Sequence, residues 1–130
     1  PKFIPGAIGQ YTVITNNAGG PADKDLTFIT DPIPANTALY VNDIGGAGAG
    51  PVLFTQGAFT STLTYAKATD LAFSNDGGAT WNAVPVADAF GCDATVPAIT
   101  HIRINPKGTF AGSAVAPQPS FQLDFRVCVK

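Results

Sequence analysis

The chain has few of the straight-chain residues that favour helices. Its 130 residues contain no Glu, no Met and only six Leu, whereas straight-chain residues of these kinds have high helix propensity. Thr, Val, Ile and Phe occur in their place, beside 14 Gly and 11 Pro. This composition excludes a helical bundle and predicts an all-β sandwich or barrel.

Charge is scarce as well. Charged residues make up 12% of the chain and the net charge is -2, while a typical soluble domain has about 25% charged residues. The seven basic residues are scattered, so the chain has no basic patch for nucleic acid. No apolar run approaches the roughly 18 residues that span a bilayer. We therefore predict a surface covered by neighbouring copies, as in a homo-oligomer or homopolymer, or one exposed outside the cell.

Catalytic and metal-binding residue types are too few for the familiar sites. His101 is the single histidine, and its position between Ile102 and Thr100 in a strand-like run predicts a hydrogen-bonding surface residue. There is no G-x-S-x-G nucleophile motif and no C-x-x-C pair for zinc. All nine acidic residues are Asp, mostly in turns, where they favour local backbone bonding. We predict no enzyme activity, no cofactor and no metal.

The two cysteines leave two interpretations open. Cys92 and Cys128 stand 36 positions apart, and a disulfide between them would stabilise the fold by about 3–4 kcal/mol in the chain-entropy model. The alternative is a pair of free thiols. A disulfide would indicate an oxidising compartment. Because the chain starts at Pro1, we also predict that an N-terminal export signal was removed, which would place the protein outside the cell, at the cell surface.

Short β-favouring runs ended by Gly, Pro or Asn predict the architecture. Residues 25–41 illustrate the pattern, with a strand, a corner fixed by Pro32 and Pro34, and a second strand. The spacing predicts one domain over 1–130, an immunoglobulin-like Greek-key sandwich of about eight to ten strands. The predicted strands are 10–15, 26–30, 38–41, 52–55, 59–65, 71–74, 80–84, 99–105 and 121–129.

The last of these strands has the clearest alternation of the chain. Its apolar residues share one face: Phe121, Leu123, Phe125, Val127 and Val129. Two roles are open for them. They form an ordinary core strand, or they are a subunit-contact strand that inserts into an open sheet edge of the next copy. The second role would produce a head-to-tail, filament-forming contact.

A turn motif stands out in the middle of the chain. Ser74, Asp76, Gly78, Thr80 and Trp81 fit the pattern S-x-D-x-G-x-T-W of Asp-box hairpins. The motif predicts a structural turn in which Asp76 accepts backbone N–H groups while Trp81 packs beneath. The alternatives are sugar stacking on Trp81 and a calcium ion held by Asp76 and Asp70, although no acidic cluster supplies the 6–8 oxygens that calcium prefers.

Several blocks of the sequence resemble a known family. The segments PKFIPGAIGQYTV and TNNAGGPADKDLTFITDPIPANTALYV, followed by FSNDGGATW, THIRINPKGTF and SFQLDFRVCVK, resemble the immunoglobulin-like "conserved repeat" domain of prokaryotic cell-surface proteins, in a subgroup of short secreted bacterial members. The resemblance implies an extracellular β-sandwich in a surface, adhesive or structural protein, with no catalytic residues. Members usually have one more strand before the Pro-Gly turn, a place that only residues 1–4 could fill here. The family position of Cys128 is usually not cysteine.

These observations favour one function and leave a second open. The first is an exported structural subunit of a cell-surface filament or layer that assembles by β-strand addition between subunits. The alternative is an extracellular, adhesin-like module that binds carbohydrate or protein, with Trp81 on a surface glycan.

Overall fold

Seven short strands and one turn of helix form the regular structure of residues 4–130, the part of the chain that the computed structural model describes. Every strand pair is antiparallel. The prediction of an all-β protein built from two antiparallel sheets is therefore confirmed. The elements are β1 (Ile8–Asn16), β2 (Ile29–Pro32), β3 (Thr37–Leu39), β4 (Val52–Gln56), α1 (Lys67–Asp70), β5 (Leu71–Ser74), β6 (His101–Ile104) and β7 (Ser120–Val129).

The two sheets are each organised around one central strand. In the β7 sheet, β1 pairs with one side of β7 from Ile8↔Cys128 to Asn16↔Ser120. β3 and β4 share the other side of β7, along its two halves. In the β6 sheet, β6 lies between β2 and β5. The immunoglobulin-like Greek-key topology stays a prediction.

The core lies between the inner faces of these sheets. Phe121 from β7 is fully buried, and its ring centroid is 5.3 Å from those of Phe54 and Phe110. Ile102 and Ile104 of β6 supply the opposite side. Each such side chain contributes about 1.5–3 kcal/mol through burial. The alternation predicted for β6 and β7 thus decides which residues form the core.

The predicted strand 59–65 is wrong. Only isolated bridges at Thr60 and Thr64 occur there, and Thr62 has φ 63, which an extended strand does not allow. The Ser61 hydroxyl accepts a hydrogen bond from the Leu63 N–H, and the Thr60 hydroxyl accepts one from the Thr62 N–H. Side-chain hydroxyls therefore take the backbone donors that a sheet would use.

The predicted strand 80–84 is also wrong, apart from one bridge between Phe73 and Ala83. The Thr80 N–H bonds to the Asp76 carboxylate within the turn. Pro85 follows directly and has no N–H to donate. Without these two strands the described residues hold seven strands, fewer than the eight to ten that the sequence predicts.

Candidate functional site

The Asp-box residues form a closed hydrogen-bonded turn. The Asp76 carboxylate accepts the Thr80 N–H at 2.9 Å, the Thr80 hydroxyl at 2.6 Å and the Ser74 hydroxyl at 2.7 Å. These bonds, led by the one from the Thr80 hydroxyl, lower the pKa of Asp76 to about 2. Gly77 and Gly78 have φ of 77 and 92, where a side chain would be strained. The polar side chains of the turn thus form hydrogen bonds with one another and with the backbone of the same turn.

Trp81 lies next to the turn, since a Cβ on Gly78 would be 3.5 Å from its ring, and it also lies over the outer face of the β6 sheet. The guanidinium of Arg103 lies over its ring, 4.6 Å from the centroid, and 5.6 Å from the centroid of Phe28. The His101 ring meets Trp81 edge-on, with centroids 6.5 Å apart. Phe28 is half exposed. An arginine between two aromatic rings thus lies on the surface, and we call Phe28, Trp81, His101 and Arg103 the aromatic–arginine cluster.

The cysteines form a disulfide, as one of the two interpretations predicted. Their Cα atoms are 6.0 Å apart, and the bond ties β7 to the loop of residues 84–97. A cavity of about 530 Å³ adjoins it, lined by Ile8, Phe90 and Asp88 among others. The Asp88 carboxylate accepts hydrogen bonds from the N–H groups of Phe90 and Cys92. The polar groups there hold the loop in shape.

The predicted subunit-contact strand lies inside its own sheet. Phe121, Leu123, Phe125 and Val127 are buried in the core, and Val129 is half-buried at the end. Both sides of β7 are hydrogen-bonded to strands of the same chain. Its outer face is covered in part as well, because Asp124 is buried and accepts hydrogen bonds from Thr12 and Gln122. In a single chain, β7 is therefore a core strand.

In contrast to β7, β1 is hydrogen-bonded to a strand of the described chain on one side only. Val129 N–H bonds to the Ala7 carbonyl and Asn17 N–H to the Pro119 carbonyl, so the odd-numbered residues of β1 exchange hydrogen bonds with β7. Antiparallel alternation turns the N–H and C=O groups of the even-numbered residues away from the sheet. No strand of residues 4–130 pairs with them. The even-numbered residues are Ile8, Gln10, Thr12, Ile14 and Asn16.

A cleft of about 240 Å³ opens beside β1, between the two sheets. Tyr11, Val13 and Phe125 form its apolar wall, with Asp31 of β2 opposite. The register places Asp31 beside Ile102, on the inner face of the β6 sheet. Burial raises the pKa of this carboxyl. The cleft is apolar with one carboxylate at its mouth.

The remaining candidates have local roles. His101 Nδ1 lies 3.0 Å from the Thr100 hydroxyl. The Asp70 carboxylate accepts hydrogen bonds from the Ala66 N–H and the Thr69 hydroxyl, and it forms an ion pair with the Lys107 ammonium at 3.1 Å. Across residues 4–130 no three His, Cys, Asp or Glu side chains are grouped to hold a metal ion. In the same range, no helix has the length and apolar character to cross a bilayer.

Comparison of the chain with models of known protein families, with curated proteins and with solved structures finds no match. The resemblance to immunoglobulin-like repeat domains of cell-surface proteins therefore stays a prediction.

Two features of the site were missed in the sequence. An open sheet edge was expected but was not assigned to β1, because alternation reports the two faces of a strand and not its two edges. Arg103 was missed because its alternation with Ile102 and Ile104 indicates only a polar residue on the outer face of a strand. A signal for the edge was present, since residues 8–16 contain no charge and no proline, the two residue types that commonly protect edges.

Proposed function

We propose that this protein is an exported structural subunit that assembles with further copies into a cell-surface filament or layer by β-strand addition, with β1 as the receiving edge. The observation that carries the proposal is the nine-residue strand β1, which within residues 4–130 is paired on one side only. Such an edge is a template for another strand.

The side chains of β1 support the same interpretation. Ile8 and Ile14 are 51% and 68% exposed on the outer face, and burial of each would stabilise a contact by about 1.5–3 kcal/mol at most. Within residues 4–130 no other strand covers this edge. A monomer that kept it bare would expose a site for irregular pairing.

Assembly through β1 requires no loss of native structure. If β7 moved to another copy instead, its pairings with β1, β3 and β4 would all break, because β7 is the centre of its sheet. The other edge of the same sheet includes β4, which also pairs on one side only. A contact between β1 and β4 of the next copy is head-to-tail and propagates, whereas β1 against β1 closes a dimer.

The disulfide supports export, because such bonds persist in oxidising compartments. The low charge fits a surface that is covered by neighbours. The adhesin-like alternative is supported by a different part of the molecule, the aromatic–arginine cluster, and it does not compete for β1.

A proline at position 14 tests the receiving edge. The Ile14 N–H points away from β7, so Ile14→Pro removes an outward donor and leaves the internal ladder intact. We expect wild-type protein to form oligomers or fibres in light scattering and electron microscopy, and Ile14→Pro to remain monomeric. Ile14→Val keeps the N–H and serves as the matched control. If the wild-type protein contains only monomers at high concentration, the proposal is contradicted.

A gel without reductant separates the two routes of assembly. Addition at β1 leaves Cys92 and Cys128 joined within each chain, so assembled protein denatured without reductant should run as a monomer. Exchange of β7 would join Cys128 of one copy to the partner's Cys92 and produce a ladder. A ladder would therefore exclude β1 as the receiving edge while leaving strand addition itself in place.

A further inference from the structure

Arg103 is held in a fixed position on the outer face of the β6 sheet. Its neighbours across the strands are Thr30 and Ala72, whose small side chains leave room above the sheet. Phe28 and Trp81 fill the two sides of that room and contact the guanidinium with their rings. Cation–π contact of this kind restricts the arginine side chain. Its charged end is thus ordered before any ligand arrives.

The guanidinium has no anionic partner within the described chain. The ion pair of residues 4–130 joins Lys107 to Asp70, and the Arg103 side chain makes no hydrogen bond to another residue in that range. The other arginine differs, because Arg126 donates from Nε to the Gln10 side chain. A guanidinium carries five N–H donors in a planar fork that matches a carboxylate. Arg103 therefore presents an unused, pre-ordered anion-binding group.

The surroundings select the kind of anion. The Phe28 ring is half exposed, so part of it remains open to the C–H surface of a sugar ring. The exposed Thr30 hydroxyl lies on the same face of the sheet, because Thr30 is the cross-strand partner of Arg103. A ligand that combines a carboxylate, a ring with an apolar face and several hydroxyls fits this set. We propose that the aromatic–arginine cluster binds an acidic saccharide of the uronic acid type, with Arg103 on the carboxylate and Phe28 and Trp81 against the sugar ring.

This site is independent of assembly, because it lies on the β6 sheet and the receiving edge belongs to the β7 sheet. A subunit can therefore present the cluster whether or not β1 is occupied. If assembly at β1 fails its test, the binding proposal is unaffected. The reverse also holds.

The experiment is calorimetric titration of the full-length protein with a galacturonic acid tetrasaccharide, with a neutral cello-tetrasaccharide beside it. We expect the acidic sugar to bind at least about tenfold more tightly than the neutral one. Arg103→Gln should weaken binding by more than about tenfold, since charge-assisted hydrogen bonds contribute about 1.5–3 kcal/mol. Arg103→Lys keeps the charge but not the fork, and should recover only part of the affinity. Trp81→Ala should weaken binding by about tenfold.

Arg126→Gln is the matched control, because it removes the same charge from the other sheet and should leave affinity unchanged. Thermal unfolding of each variant shows whether the fold is kept. The proposal is overturned if no acidic saccharide binds, if the neutral sugar binds equally, or if Arg103→Gln and Arg126→Gln behave alike. A sulfated polysaccharide that binds as tightly as the uronic acid chain, with both lost at about 0.15 M salt, would also overturn it.

Discussion

β1 and β7 are neighbouring strands of nine and ten residues, in register over their whole shared length, yet their surroundings are opposite. β7 is hydrogen-bonded on both sides and buried on most of its surface. β1 is bonded on one side and exposes Ile8 and Ile14. The comparison shows that similar β-favouring sequences acquire different surroundings from their position in the sheet, one buried at its centre and the other exposed at its side.

The largest contrast is expected between Phe121→Ala and Ile14→Ala. Phe121 is fully buried between Phe54 and Phe110, so its truncation should lower the free energy of unfolding by about 3–5 kcal/mol. Ile14 is exposed, and its truncation should change that free energy by less than about 0.5 kcal/mol. Denaturant unfolding of the monomer measures both. Equal losses would mean that β1 is not an exposed edge in solution.

The disulfide should contribute nearly as much as a core side chain to the anchoring of β7. Replacing both Cys92 and Cys128 by Ser removes a cross-link over a separation of 36 residues, which is worth about 3–4 kcal/mol. The same denaturant titration, with the reduced wild-type protein as the control, checks this value. A loss below about 1 kcal/mol would indicate that the packing of β7 alone holds the 84–97 loop.

A smaller effect is expected from the bond between the two strands. Thr12 of β1 donates its hydroxyl to the buried Asp124 of β7. Thr12→Val should lower the free energy of unfolding by about 1–3 kcal/mol, because it removes a hydrogen bond to a charged group. Thr15→Val on the same strand is the control, since the Thr15 hydroxyl has no partner within residues 4–130. Similar losses in the two variants would contradict this contribution.

The smallest effect is expected at Asp31, in the cleft beside β1. Because burial raises the pKa of Asp31 in the fold, the folded protein holds that proton more tightly than the unfolded chain. The associated stability is full below the ordinary pKa of 3.8 and is lost as pH rises through the raised value. Asp31→Asn should therefore stabilise the protein at pH 7, by less than about 1 kcal/mol for a screened, partly exposed group. Thermal unfolding near pH 3 should show no such gain.

Prediction from the sequence succeeded where side chains alternate. The inward residues of β6 and β7 follow from a two-residue period, which a half-buried strand imposes. It failed at 59–65 and 80–84, because Ser, Thr and Asp side chains bond to nearby N–H groups there. A backbone N–H can bond either to a nearby side-chain oxygen or to a distant strand. The outcome depends on where that strand lies, and a local sequence pattern does not contain this information.

The site was predicted in part for the same reason. The Asp76 turn is visible in the sequence because all its partners lie within a few residues. The aromatic–arginine cluster is not, because Phe28, Trp81 and Arg103 come from three separate stretches of the chain.

By itself, the amino-acid sequence determined that this protein is built from strands, which residues face inward and where several of its turns lie, since these depend on backbone sterics and local burial patterns. The tertiary structure alone decided that β7 is central, that no strand of residues 4–130 pairs with the second edge of β1, and that Arg103 lies between two rings. Strand order and long-range side-chain contacts depend on which distant segments meet, and that is a property of the whole packed chain.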